Sequence, residues 1–190
     1  MTVVFFSDLH MGSPHVGKAY VERLVKRIND EKADLILIGG DLMINGVLGG
    51  TRTPIEKIAP LLKKLKARLG VFAVLGNHDW WNDGPNARSV LEQNGITVLN
   101  NEAKKITAGS NQSFWLIGIG DDYTKHADLT EAFSQVDSTT STLVFMHDPG
   151  ALLDAKRQFD IALAGHLHGG QIAIPGYGPL LTAGRAPREW

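Results

Sequence analysis

The chain predicts an α/β fold, and three observations predict it. Short apolar runs alternate with amphipathic stretches from end to end, which is the strand, turn, helix rhythm of that class. At 190 residues it is long enough to bury a sizeable core as one domain. Its 43% hydrophobic content is ordinary for a globular protein and its 21 glycines follow no period, so no repeat, low-complexity tract or linker divides it.

The first run, Thr2-Val3-Val4-Phe5-Phe6, reads as a strand ending at Ser7-Asp8-Leu9-His10. Asp8 and His10 are two apart, so on extended chain they share a face and suit one metal; a helix-capping Asp beside an incidental His is the plainer alternative. Residues 20–28 place Val21, Leu24, Val25 and Ile28 at helical spacing. Asp34-Leu35-Ile36-Leu37-Ile38 is apolar enough for a strand buried on both faces. It runs into Gly39-Gly40-Asp41, where two glycines let the backbone come close to whatever the acid holds; Asp41 taken alone also reads as a turn residue. After a glycine-rich loop over residues 46–53, Pro54 starts a helix with Ile55, Ile58, Leu61, Leu62 and Leu65 on one face. Its basic face reads as simply solvated.

Val71-Phe72-Ala73-Val74-Leu75 is the third buried strand, and Gly76-Asn77-His78-Asp79 follows it. An amide oxygen, an imidazole and a carboxylate at a strand end can bind a cation and move a proton, or form a polar turn before the next helix. Trp80 and Trp81 come next, as packing or as the wall of a substrate pocket. Residues 85–92 read as a short helix and residues 95–99 as a strand. Two β segments, 103–107 and 114–119, joined through Gly109-Ser110-Asn111, predict a hairpin. The acids of Gly120-Asp121-Asp122-Tyr123 read as a structural turn. A small helix over 129–133 precedes the strand Thr142-Leu143-Val144-Phe145-Met146, which ends at His147-Asp148-Pro149. Asp160-Ile161-Ala162-Leu163-Ala164 then leads to Gly165-His166-Leu167-His168-Gly169. Two histidines two apart and flanked by glycines need polar partners and have room for them, which favours metal ligation.

Five strand ends thus carry Asp8/His10, Asp41, Asn77/His78, His147 and His166/His168, and five of the seven histidines lie there. In α/β sheets, ligands gather outside the carboxyl ends of the strands. With no cysteine, disulfides and thiolate ligands are excluded. A site of His, Asp and Asn suits Mn, Fe, Zn, Co or Mg. A formal net charge of −1 offers no field for nucleic acid or an anionic membrane. No stretch is apolar enough to span a bilayer and no signal peptide opens the chain, so a cytoplasmic location is expected, or the cell envelope if a leader has been removed.

The ordered blocks Asp-x-His, Gly-Asp, Gly-Asn-His-Asp, a lone His and Gly-His-x-His resemble the calcineurin-like metallophosphoesterase superfamily, from Val3 to about Gln171. The resemblance implies two mixed β-sheets sandwiched between helices. It implies two divalent cations, Mn foremost, with Fe, Zn, Co and Ni as the others. Asp8, His10 and His168 would hold one cation, Asp41 would bridge, and Asn77, His147 and His166 would complete the second. His78 would lie over the substrate. The implied reaction is in-line attack on phosphorus by a hydroxide held between two cations ~3.5–4 Å apart, with His78 protonating the leaving group.

Details narrow the resemblance. Ile44-Asn45-Gly46 stands where phosphoprotein phosphatases carry Asp-Arg-Gly. His78 stands where one kind of lipid A pathway hydrolase carries Arg. No tyrosine closely follows Asp41, as purple acid phosphatases require. The endings at His147-Asp148-Pro149 and at residues 165–175 look closest to a bacterial phosphodiesterase subgroup. A small phosphodiester substrate is therefore expected, ahead of a phosphomonoester or a nucleotide- or lipid-diphosphate. A non-catalytic protein-binding scaffold is the alternative of another class, and it usually lacks residues that this chain keeps. The last His block is followed by few residues, so a truncated or smaller sheet with an uncovered edge, and self-association through it, are expected.

Overall fold

The computed structural model describes residues 1–109, 112–170, 172–174, 176 and 178–187. Strands β1 (Val3–Phe6), β2 (Leu35–Ile38), β3 (Val71–Ala73) and β4 (Thr97–Val98) form one sheet in that order, parallel throughout. Helices α1 (Lys18–Asp30), α2 (Ile55–Leu62) and α3 (Asn77–Gln93) are the crossovers between them. The second sheet has the order β5 (Glu102–Gly109), β6 (Gln112–Gly118), β7 (Thr142–Phe145), β8 (Ile161–Leu163); β5 and β6 pair antiparallel and the rest parallel. The predicted sandwich is therefore present, with the mixing confined to this second sheet. Helix α4 (Leu129–Ala132) and a 3₁₀ turn at Pro149–Asp154 complete that half.

Alternation along each strand sorts the side chains into layers. In β2, Ile36 and Ile38 face the helices, joining Val21, Val25 and Ile28 of α1 and Ile55, Ile58 and Leu62 of α2. Leu35 and Leu37 point the other way, where Phe72 and Val74 meet Phe114, Leu116, Leu143 and Phe145 of the second sheet. On the far side, Ile117, Val144 and Met146 pack under Ala132, Phe133 and Val136. The order helix, sheet, sheet, helix follows directly. Both faces of β2 are covered, which is why it reads as an unbroken apolar run.

One expectation changes. The helix read over residues 85–92 is present, but a separate helical stretch from Asn77 precedes it, so the Asn-His-Asp cluster lies on a helix rather than a turn. The backbone straightens at Asp83 (φ −179°), whose Oδ1 caps Asn86 N. Gly84-Pro85 thus opens the second helical stretch of α3. After the last His block, β9 (Ile172–Ile174) and β10 (Gly178–Leu181) pair antiparallel with each other. The hairpin turn at Ser110-Asn111, Gln171 at the limit of the resemblance, Tyr177 and residues 188–190 lie outside the described residues. Among the described residues, no helix is long and apolar enough to cross a membrane.

Candidate metal centre

The parallel strands of both sheets end on one seam. The β1 and β2 loops stay paired past the sheet, with Asp8 N donating to Gly40 O (3.0 Å) and His10 N to Asp41 O (2.9 Å). Gly40 and Gly76 let the β2 and β3 ends touch: a Cβ on Gly76 would lie 2.6 Å from Asp41 N and overlap its Oδ1. The second sheet is tied across by His166 N, which donates to both Asp8 carboxylate oxygens (3.3 and 3.1 Å). The backbone is unusual here. Asp8, His10, Asp41, His166 and His168 all have left-handed φ, between 44° and 70°. Residues with side chains rarely adopt that conformation, and it clusters at functional sites.

The seam gathers every predicted residue. His168 Nε2 is 3.2 Å from Asp8 Oδ1 and 3.3 Å from His10 Nε2. His10 Nε2 is 3.6 Å from Asp41 Oδ2, and His147 Nε2 approaches the same oxygen at 3.3 Å. Asp41 therefore stands between two clusters. His147 Nε2 also lies 3.1 Å from both Asn77 Oδ1 and His166 Nδ1. Three sets can each converge ligand atoms on one ion: Asp8, His10 and His168; His10, Asp41 and His78; and Asp41, His147 and His166. The half around Asp41, Asn77, His147 and His166 is buried, and the half around Asp8, His10 and His168 is partly open.

Hydrogen bonds divide the imidazoles by role. His10 Nδ1 donates to Met43 O (3.1 Å) and His147 Nδ1 to Gly39 O (2.8 Å), so in the neutral ring each turns an Nε2 lone pair inward. His78 is wired the other way. Its Nδ1 accepts from Asn45 N (3.1 Å), so Nε2 carries the proton and is a donor. His166 Nε2 is buried with no partner. Facing lone pairs, a shared carboxylate and an orphaned imidazole nitrogen fit a pair of divalent cations.

Electrostatics agree. Although burial opposes it, hydrogen bonding from His168 and the His147 charge hold Asp8 well below the usual carboxylate range. Burial likewise opposes ionisation of Asp41, but hydrogen bonding and charge from His147 lower its pKa. Despite burial, contact with Asp41 pushes His147 up to about 9, so in the metal-free chain a proton sits where Asp41, Asn77 and His166 converge. Burial and the His147 charge push His166 down to about 4. Burial also lowers His78, against the pull of Asp41.

Neither neighbouring acid positions an imidazole. Asp79 Oδ1 accepts from Leu42 N and Met43 N (3.0 and 3.2 Å) and Oδ2 from Gly76 N (3.1 Å), so it clamps the β2 loop to the start of α3. Asp148 caps the 3₁₀ turn through Gly150 N (2.8 Å). The two tryptophans separate: Trp80 packs against the helix-side core and stacks on His126 (3.6 Å), while Trp81 is 53% exposed with its ring 5.1 Å from His78. A cavity of about 390 Å³ opens over Asp41, Asn77, His78 and His166, walled by Trp81 and Tyr123. The sequence reads Tyr123 as part of a structural turn. Its neighbours fit that reading, since Asp121 binds Thr124 and Asp122 pairs with Arg185, but its ring lies 5.2 Å from that of His166.

The family model for calcineurin-like phosphoesterases matches residues 1–170. The chain belongs to that family. It is 32% identical over 195 residues to a Bacillus subtilis protein named uncharacterized metallophosphoesterase YkoQ, covering 99% of this chain and 68% of that one. A second B. subtilis protein, uncharacterized metallophosphoesterase YkuE, is 29% identical over 95% of this chain, which spans 62% of that relative's length. A zebrafish (Danio rerio) transmembrane protein with metallophosphoesterase domain is 28% identical over 90% of this chain and 41% of its own. Calcineurin-like phosphoesterases use divalent metals to hydrolyse phosphoesters, and the seam carries Asp and His groups suited to such ions.

Proposed function

We propose that the chain hydrolyses small phosphodiesters at a two-cation centre. Asp8, His10 and His168 would hold one cation and Asn77, His147 and His166 the other, with Asp41 shared. Manganese is the first choice for this oxygen-and-imidazole donor set, with Fe, Zn, Co and Ni the others. When bound, such cations supply an activated water and neutralise charge on the phosphoryl group. The protein's own part in the chemistry falls to His78. The Asn45 amide sets its tautomer so that Nε2 carries the hydrogen, and this N–H would hydrogen-bond the departing oxygen and stabilise the charge that develops on it.

The observation that carries this reading is the opposite wiring of the histidines, with Nδ1 donating in His10 and His147 and accepting in His78. Preference for a diester is supported by the cavity lining: among the described residues around it there is no Lys or Arg to meet the second charge of a monoester. Purified chain loaded with Mn²⁺ and offered bis-p-nitrophenyl phosphate and p-nitrophenyl phosphate at equal concentration tests the proposal. The expected result is at least about tenfold higher kcat/KM on the diester. A preference for the monoester overturns the choice of substrate class.

A further inference from the structure

One cation near the seam is still unexplained. Arg52 comes from the glycine-rich loop and lines a cavity of about 450 Å³ with Asn45, Trp81 and Asn82. Trp81 also walls the cavity over the metal centre, so the two spaces adjoin across its ring. No acidic side chain lines the Arg52 cavity among the described residues.

The arginine is aimed. Its Nε donates to Asn82 Oδ1 (2.6 Å), and Asn82 Nδ2 is itself fixed on His78 O (2.8 Å) and on the Asn45 side chain. Asn45 is the residue whose amide sets the His78 tautomer. His78, Trp81 and Asn82 occupy positions i, i+3 and i+4 of α3, so they share one face of the helix. The same short network therefore holds His78 and orients the guanidinium. Only Nε is engaged in a hydrogen bond among the described residues, which leaves the two terminal nitrogens free. That planar fork matches a phosphate or carboxylate.

Building on the phosphodiesterase reading, we propose that Arg52, oriented by Asn82, anchors a second anionic group on the leaving-group side of the substrate. The departing group passes from His78 along the Trp81 ring and ends in a phosphate or carboxylate on Arg52. The substrate class is then a phosphodiester whose leaving alcohol is itself an anion.

The test is calorimetric binding to the full, Mn²⁺-loaded chain. The probes are alkyl monophosphonates, α,ω-alkane bisphosphonates and ω-phosphonoalkanoates from propane to octane. At one or more lengths, a two-headed probe is expected to bind about tenfold tighter than the monophosphonate of equal carbon number. R52A should bring that ratio close to one, and R52K should restore part of it. The bisphosphonate and phosphonoalkanoate arms tell a phosphate anchor from a carboxylate. A flat ratio at every length, or a gain that persists in R52A, overturns the proposal while leaving the phosphodiesterase reading intact. Failure of the monophosphonates themselves to bind the metal-loaded chain overturns both.

Discussion

Four of the five imidazoles in the seam differ in what lies behind them. A carbonyl behind His10 and His147 makes each an inward acceptor, an amide N–H behind His78 makes it an inward donor, and His166 has no partner at Nε2. His78→Ala should therefore lower kcat by about 10²- to 10³-fold while metal content by elemental analysis stays unchanged. Loss of metal in that variant would make His78 a ligand, as its place beside His10 and Asp41 also allows. His147 gives a pH signature. Its metal-free pKa of about 9 lies above the ordinary 6.5, so its contribution to folding is complete below pH 6.5 and fades as pH rises through 9. A cation must displace that proton. Mn²⁺ affinity should rise with pH up to about 9, by as much as tenfold per unit from this group, and binding in weak buffer at pH 8 should release protons. Affinity independent of pH between 7 and 9 would show that His147 gives up no proton to the ion.

At the scale of elements, the decisive piece is the first turn and a half of α3. It carries Asn77, His78, Trp81 and Asn82, and Asp79 locks it to the β2 loop through three backbone donors. Asp79→Ala strands those buried amides at ~1–3 kcal/mol each, so a loss of about 3 kcal/mol or more in chemical denaturation is expected. The chemistry of this stretch is legible in the sequence because four other strand ends carry the same kind of polar side chains. Its helical form is not. Gly84-Pro85 signals a break whose position relative to the helix depends on the extended backbone at Asp83. Arg52 and Tyr123 are invisible for a related reason. Both come from aperiodic loops, and only tertiary packing brings them beside Trp81.

For the whole molecule, the α/β rhythm and the apolar runs of β2, β3 and β7 predicted the layers because strand and helix periods survive into the packed state. Which sheet is parallel throughout is a pairing outcome that no single strand encodes. Phe145 is buried between the sheets, and Phe145→Ala should cost about 3–5 kcal/mol in denaturant unfolding. The proposed donors divide between the halves: Asp8, His10, Asp41 and Asn77 follow strands of the first sheet, and His147, His166 and His168 follow strands of the second. Chelation should then lower the melting temperature, since saturation at a hundred times Kd is worth about 2.7 kcal/mol. An identical melt with and without chelator would show that no ion bridges the sheets.

That division also sets an order of events. His10, Asp41 and His78 could meet an ion with the first half alone, whereas the sets Asp8, His10, His168 and Asp41, His147, His166 each draw on both halves. On the proposed two-cation reading, the full pair of ions can settle only after the two leaves have closed on each other, and complete uptake becomes a clock for the last step of assembly.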